Sequence, residues 1–244
     1  MSDALAPATD EAPAPGLLAR AVGVIFSPGA TYAAVGRRPR VLGALAITIF
    51  VVSAGWAGFL SSEVGRQAVL DQQIQQAQSF GRPMTDAQYQ AIERVAPYFG
   101  AFIAISQIIF VPLFALLFAG LSYALFTAIL GGNATFKQAL AVVAHAGFVI
   151  VVAQFFILPL DYIRESLTSP TSLAVFLPFL DENTFAARFL GAIDLVYLWW
   201  SLNLAIGLGV LYKRRVAPIA SGLLALYAGL ALIIAAVRTA LSGA

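Results

Sequence analysis

The sequence predicts an all-α, polytopic membrane protein with five transmembrane helices and an N-terminal interfacial helix. Three observations lead to this prediction. Five long apolar stretches run along the 244 residues, hydrophobic residues make up 60% against 11% charged, and the mean hydropathy is +0.87. A soluble domain would be about one-quarter charged. No sizeable window is polar enough to form a soluble domain, so residues 16–238 are predicted to form a single membrane domain.

The predicted spans follow the apolar stretches, because a hydrocarbon core of about 30 Å needs about 20 helical residues. Their boundaries are 41–60, 98–121, 136–160, 191–212 and 216–237. The second stretch continues to Leu130 around Pro112, and residues 122–130 either extend a tilted, kinked helix or lie at the interface. Gly131 to Asn133 should end this helix, since these residue types tolerate the left-handed conformation.

The segments outside the spans also have recognisable patterns. Residues 1–15 are rich in Ala and Pro, lack the pattern of a signal peptide and are expected to be a disordered tail. Residues 16–34 are apolar but broken at Pro28, so we expect a helix that lies in the membrane interface. Residues 63–97 should form a helical hairpin on one membrane face. The apolar segment 172–180 should dip into the membrane or lie at its interface.

Charges orient the predicted bundle, because Lys and Arg in short loops stay cytoplasmic. The N-terminal side carries basic residues and, outside the tail, no acid: Arg20, Arg37, Arg38, Arg40, Lys137, Lys213, Arg214 and Arg215. The opposite side mixes both signs: Arg66, Arg82, Arg94, Arg164, Arg188 and Arg238 with Glu63, Asp71, Asp86, Glu93, Asp161, Glu165, Asp181, Glu182 and Asp194. The N-terminus is therefore predicted to be cytoplasmic and the C-terminus external.

Composition excludes several kinds of chemistry. The chain has no cysteine and a single histidine, so thiolate nucleophiles, Cys-based metal sites and histidine clusters are absent from the sequence. A net charge of +2 does not indicate nucleic-acid binding. No phosphate-binding loop, zincin motif or Ser-x-x-Lys pair occurs, and no cofactor is expected. Seven basic residues are instead predicted to contact lipid headgroups: Arg20, Arg37, Arg38, Arg40, Lys213, Arg214 and Arg215.

Four polar residues within the spans are candidates for an intramembrane polar cluster: His145, Gln154, Asp194 and Asn203. Ionisable groups at membrane depth are costly and often functional. Three of them, Asp194, His145 and Asn203, also have a structural interpretation. Asp194 stands at a helix start, where the helix dipole stabilises a carboxylate. His145 has no acid nearby in its span, so both it and Asn203 are expected to make packing hydrogen bonds between helices.

Three segments, in order and spacing, resemble the bacterial branch of the Yip family, five-span proteins whose eukaryotic members interact with Rab/Ypt GTPases. They are the Pro-aromatic-Pro pattern in 26–39, the Gly-Gly turn with Thr-Phe-Lys-Gln in 131–140 followed by Ala-His-Ala, and the Asp-Leu-aromatic-Trp stretch in 193–199 with Gly207 downstream. The Asp-Leu-Tyr-Gly-Pro sequence of eukaryotic members is absent, and residues 27–32 take its place. Rab binding is therefore not carried over.

The resemblance implies an integral membrane protein that organises membranes or other proteins. We therefore expect a non-enzymatic scaffold or membrane-organising protein of the bacterial inner membrane. Its expected partners are the lipid bilayer, membrane or cytoplasmic proteins and a second copy of the chain. The alternative is a small transporter, channel or lipid-moving protein with a polar cleft between spans three and four.

Overall fold

The computed structural model describes residues 15–79, 84–181 and 184–241, and these ranges are mainly helical, without a β-strand. Apart from Pro15, the tail predicted to be disordered lies outside the described residues. The α-helices of the described ranges are α1 Leu17–Phe26, α2 Pro28–Arg37, α3 Leu42–Ser61, α4 Glu63–Ser79, α5 Asp86–Val95, α6 Phe99–Tyr123, α7 Phe136–Ala146, α8 Phe148–Arg164, α9 Phe185–Gly191, α10 Leu195–Tyr212 and α11 Val216–Leu241.

In the described part of the chain, five helical segments are long and apolar enough to cross a membrane. They are Leu42–Ser61, Asp86–Ile129, Phe136–Arg164, Leu195–Tyr212 and Val216–Leu241. Such segments satisfy every backbone hydrogen bond internally, which a bilayer core demands. The predicted all-α, polytopic architecture is confirmed.

The second and third spans differ in detail from the prediction. The chain remains helical beyond α6 as a π-helical turn over Ala124–Ile129, so residues 122–130 extend the helix. Gly131 then adopts a φ of +68°, the left-handed conformation expected at this turn. The third span is interrupted at Gly147, where α7 ends and α8 begins. A Cβ at Gly147 would lie 3.0 Å from Thr48 Oγ1, so the glycine permits a close approach to α3.

The fourth span begins at Leu195, later than the predicted residue 191, because Asp194 caps this helix. The Asp194 backbone is extended, and its Oδ1 accepts a hydrogen bond of 2.8 Å from the Val196 N–H. A side-chain oxygen in this position satisfies one of the unpaired N–H groups of a helix start. Gly191 belongs to the short helix α9, which is packed against α11.

The third and fourth spans form the centre of the bundle, and the second and fifth lie at its periphery. Val142, Phe148, Leu204 and Leu208 are buried around this centre. The outer surfaces of α6 and α11 expose large apolar side chains, including Phe102, Ile105, Ile109, Leu226 and Ile233. Contiguous exposed apolar surface of this kind is what a lipid-facing helix presents.

The N-terminal segment differs in detail from the prediction, since it forms two helices that pack against the bundle instead of one helix that ends near Pro28. Ser27 separates α1 from α2, and Pro28 is the first residue of α2. Proline favours this first position because its fixed φ suits a helix and no N–H is needed there. Tyr32 and Val35 are fully buried by this packing. We call α1 and α2 together the N-terminal hairpin.

The two ends of the bundle differ in charge. One end, which we call the basic face, carries exposed Arg37, Arg38, Arg40, Lys137, Lys213, Arg214 and Arg215. The other end, the acidic face, carries Glu63, Asp71, Asp86, Glu93, Glu165 and Asp181 together with several arginines. The faces are joined by the five spans, so the charge asymmetry read from the sequence corresponds to two opposite ends of the fold.

Candidate functional site

The four candidate polar residues do not form one cluster, because the structure distributes them over three places. His145 and Asn203 hydrogen-bond to the N-terminal hairpin. Gln154 lines a cavity, and Asp194 organises the loop before α10. Within the described residues, no hydrogen bond joins any two of the four. The polar cleft expected between spans three and four is therefore not built from these side chains.

Arg20 of α1 reaches the buried His145 of α7. The Arg20 Nη1 lies 3.0 Å from His145 Nε2, and His145 Nδ1 lies 2.7 Å from the carbonyl oxygen of Ala141. Because a carbonyl only accepts, Nδ1 carries the proton and Nε2 accepts from the guanidinium. This pair fixes a neutral histidine against a buried cation.

Asn203 of α10 binds both helices of the hairpin at once. Its Oδ1 accepts a hydrogen bond from the Tyr32 hydroxyl, and its Nδ2 donates 2.8 Å to the carbonyl oxygen of Val24. In an ordinary helix, that carbonyl would accept from the N–H four residues later. Residue 28 is proline and has no N–H. Val24 also lies in the last turn of α1, which ends at Phe26, so Asn203 supplies a donor that the helix itself does not provide. We call Tyr32, Asn203 and the Val24 carbonyl the hairpin clamp.

The hairpin follows α10 toward the middle of the membrane. A Cβ at Gly36 would lie 3.6 Å from Leu211 Cδ1, and one at Gly207 would lie 3.0 Å from Tyr32 Cε1. These two contacts place α2 and α10 side by side, rising together toward the basic face. Along the axis of α10, Asn203 lies roughly 14 Å from the end of the helix at the basic face. The hairpin therefore enters from the basic face and turns back at about mid-depth.

The hairpin is also tied to the bundle at the basic face, where the helix cap of α7 takes part. The Thr135 side chain accepts from the Gln138 N–H, and the Gln138 side chain bonds back to Thr135, which completes a capping box. Gln138 Nε2 also donates 2.8 Å to the carbonyl oxygen of Gly36. The cap thereby joins the end of α2 to the start of α7.

Asp194 is the hub of a polar network near the acidic face. Its Oδ2 accepts hydrogen bonds from the hydroxyls of Ser169 and Thr171, the second at 2.9 Å. Its N–H donates 2.8 Å to the Tyr227 hydroxyl, which donates onward to a carbonyl at 3.1 Å. These contacts join the start of α10 to two neighbours, the loop after α8 and the helix α11. Asp194 thus has the structural role of a helix cap with added loop contacts.

Six of the seven residues predicted to contact headgroups are exposed on the basic face, and Arg20 is not. Arg20 is only 7% exposed, since its guanidinium is directed at His145. The expectation that Arg20 contacts headgroups is therefore replaced by a role inside the fold. Arg214 donates 3.2 Å to the carbonyl oxygen of Leu130, which helps close the end of the second span, while its side chain remains exposed.

Sequence reasoning missed Tyr32, Thr48 and the hydroxyl pair that binds Asp194. The sequence offered a partial signal for the hairpin clamp, because a proline four residues after Val24 leaves one carbonyl without a helical donor, but this signal does not identify Tyr32. Thr48 and the hydroxyl pair had no comparable signal in the sequence. Among the described residues, no group of three or more His, Asp or Glu side chains could hold a metal ion.

Comparison with protein families matches the chain to the Yip1 domain over residues 22–237. No curated protein and no solved structure matches the sequence. The matched range begins within α1 and ends within α11, so it includes most of the N-terminal hairpin, the first four spans and most of the fifth. The chain therefore belongs to the Yip1 domain family.

Proposed function

We propose that this Yip1 domain protein is a non-enzymatic membrane scaffold of the bacterial inner membrane, and that its basic face holds partner proteins against the cytoplasmic leaflet. The observation behind the proposal is the basic face itself. Its seven exposed cations come from the end of α2, the α2–α3 and α10–α11 connections and the start of α7. Among the described residues, this face carries no acid.

Electrostatics supports a cytoplasmic location for the basic face. Positive residues in short loops resist translocation, and anionic lipids on the cytoplasmic leaflet attract them. Each Lys or Arg near such a surface contributes about 1 kcal/mol, screened by salt. The N-terminus then lies in the cytoplasm and the C-terminus outside. Headgroups and acidic segments of partner proteins compete for the same cations.

The polar interior also supports a scaffold more than a transporter. His145, Asp194 and Asn203 make hydrogen bonds that fasten helices or loops to one another. A transporter would instead be expected to present such groups to a substrate at the membrane midplane. A cavity between α3, α6, the third span and α10 is lined by Gln154 but not by the other three candidates. Within the described residues, these four side chains therefore do not line one common cleft of the kind that the transport alternative expects.

Photo-crosslinking in native membranes tests the proposal. A photoreactive amino acid placed at Lys137 or Arg214 should give discrete protein adducts on the basic face. Two controls are Glu93, which is exposed on the acidic face, and Phe102, which is 68% exposed on a lipid-facing surface. The yield of protein adducts from the photoreactive residue at position 137 should fall when Lys213, Arg214 and Arg215 are all replaced by glutamine. The proposal fails if the basic positions label only lipid, or if all four positions give the same protein adducts.

A further inference from the structure

A cavity of about 430 Å³ lies inside the bundle, between α3, α6, the third span and α10. Ligand pockets usually measure about 300–1,000 Å³, so the space is sufficient for a ligand. Its walls are mainly apolar and aromatic, and no charged side chain of the described residues lines it. Along α3 the wall extends from Leu45 to Trp56, roughly 16 Å of helical rise. The cavity is thus elongated, apolar and uncharged, and it is separate from the hairpin clamp and from the basic face.

The cavity opens sideways to the lipid between α6 and α10. Phe110 and Tyr197 line it and are also 62% and 52% exposed. Farther along the two helices, Phe118 packs on Trp200, with the ring centres 5.0 Å apart. Both helices begin at the acidic face, and Phe110 and Tyr197 precede this ring contact in their helices. The opening therefore lies on the acidic side of the ring contact, where surrounding lipid can enter.

Two polar side chains line the cavity on the side of this opening, Gln107 of α6 and Tyr197 of α10. Gln107 is half-buried and Tyr197 is exposed, and neither side chain forms a hydrogen bond with another described residue. The amide nitrogen of glutamine and the hydroxyl of tyrosine are both donors. The side-chain oxygens of Thr48 and Gln154, in contrast, are sealed from any ligand by their surroundings. The opening therefore offers two donors that have no acceptor in the described protein.

The depth of these donors fits the head of a lipid acyl chain. Tyr197 is the third residue of α10, roughly 3 Å from the start of this helix at the acidic face. From there the cavity runs toward the middle of the membrane. Half of a hydrocarbon core is about 15 Å, which is the reach of one acyl chain within its leaflet. A chain whose carbonyl lies beside Tyr197 therefore matches the length of the cavity.

The lack of a cation in the cavity wall favours an ester over a free fatty acid. A fatty acid carries a carboxylate, and burying a charge without a counter-ion is far costlier than burying a neutral carbonyl. An ester carbonyl is uncharged and can only accept hydrogen bonds, which suits an opening that offers two donors. Ester-linked chains are also what the surrounding leaflet supplies.

We propose that one acyl chain of an ester-linked membrane lipid, from the leaflet at the acidic face, occupies this cavity, and that its ester carbonyl accepts hydrogen bonds from Tyr197 and Gln107. The apolar walls receive the hydrocarbon chain, and the two donors gain an acceptor. A lipid bound in this way reaches the centre of the bundle, whereas ordinary surrounding lipid contacts only its outer surface. The site uses no residue of the basic face, so it does not depend on the proposed scaffold function.

Photolabelling of the full-length protein in lipid nanodiscs tests where the chain lies. A phospholipid with a photoreactive group near the end of one acyl chain is crosslinked, and the labelled positions are identified by mass spectrometry. Labels should include the cavity wall around Val52 of α3 and Ile150 of the third span. Val111→Phe narrows the cavity and should suppress these labels. Ile109→Phe, at an exposed position of the same helix, should leave them unchanged.

Competition between unlabelled lipids tests the hydrogen bonds to the ester. An ester-linked phospholipid should suppress the cavity labels about threefold better than the ether-linked lipid with the same chains and headgroup, the effect of one hydrogen bond in a membrane. The double variant Tyr197→Phe with Gln107→Met should make ester and ether equal competitors. Tyr98→Phe with Gln73→Met, two exposed positions outside the cavity, is the matched control and should keep the preference.

The wild-type comparison is decisive even if the double variant does not fold. Three results would each overturn the proposal. They are labels confined to the outer surfaces of α6 and α11, equal competition by ester and ether lipids in the wild type, and better competition by a free fatty acid than by the ester lipid.

Discussion

Replacing Asn203 with leucine removes the side chain that joins both helices of the N-terminal hairpin to α10. The Tyr32 hydroxyl and the Val24 carbonyl would lose their partners together. Each unsatisfied buried group costs about 1–3 kcal/mol, although interhelical hydrogen bonds in membranes contribute only about 0.6 kcal/mol on average. We expect Asn203→Leu to lower the free energy of unfolding by about 2–4 kcal/mol, and Tyr32→Phe to lower it by about 1 kcal/mol.

A double variant makes this prediction specific to the hairpin clamp. In the Asn203→Leu background, Tyr32→Phe removes an unpaired hydroxyl and should restore about 1 kcal/mol instead of costing it. Unfolding is followed by tryptophan fluorescence during titration with a denaturing detergent. Asn133→Leu, at an exposed loop position, serves as the matched control and should change stability little. Additive losses in the double variant would refute the hydrogen bond between Tyr32 and Asn203.

Three further predictions follow from the structure. Asp194→Asn should retain nearly full thermal stability in detergent, whereas Asp194→Leu should lose about 1–3 kcal/mol, and equal stability of the two would contradict the capping role. Gly207→Ala should destabilise the fold by about 1–3 kcal/mol, because the added Cβ would lie 2.6 Å from a valine methyl group. Gly229 has open space around it, so Gly229→Ala should leave the stability unchanged. Topology reporters should find Thr135 cytoplasmic and Gln76 external, and the reverse would overturn the proposed orientation.

Hydropathy and charge were sufficient to predict the spans and the contrast between the two faces. A bilayer leaves few alternatives to a helix of sufficient length, so long apolar stretches are informative. Span ends were harder to place, because they depend on local caps. Asp194 accepts from the Val196 N–H and delays the fourth span, a contact that hydropathy does not report.

The N-terminal hairpin could not be predicted from apolar length, since neither helix is long enough to span. Arg20 was assigned to the surface because an arginine in an apolar segment usually extends its charge toward headgroups. In the fold, the His145 ring accepts its hydrogen bond instead. Such long-range pairs depend on how helices meet, which the one-dimensional pattern of residues does not specify. The same reason explains why the four polar candidates were expected together and lie apart.

Crosslinking between the N-terminal hairpin and α10 tests most directly the claim that the hairpin is part of the bundle. The chain has no native cysteine, so cysteines at Gly36 and Leu211 would form a unique reactive pair. In native membranes, a short bifunctional thiol reagent should join this pair efficiently. Cysteines at Phe26, which is 82% exposed, and Leu211 should stay unlinked as the control. Failure of the Gly36 and Leu211 pair to crosslink, with both cysteines reactive, would contradict the account and return the N-terminal segment to the membrane interface.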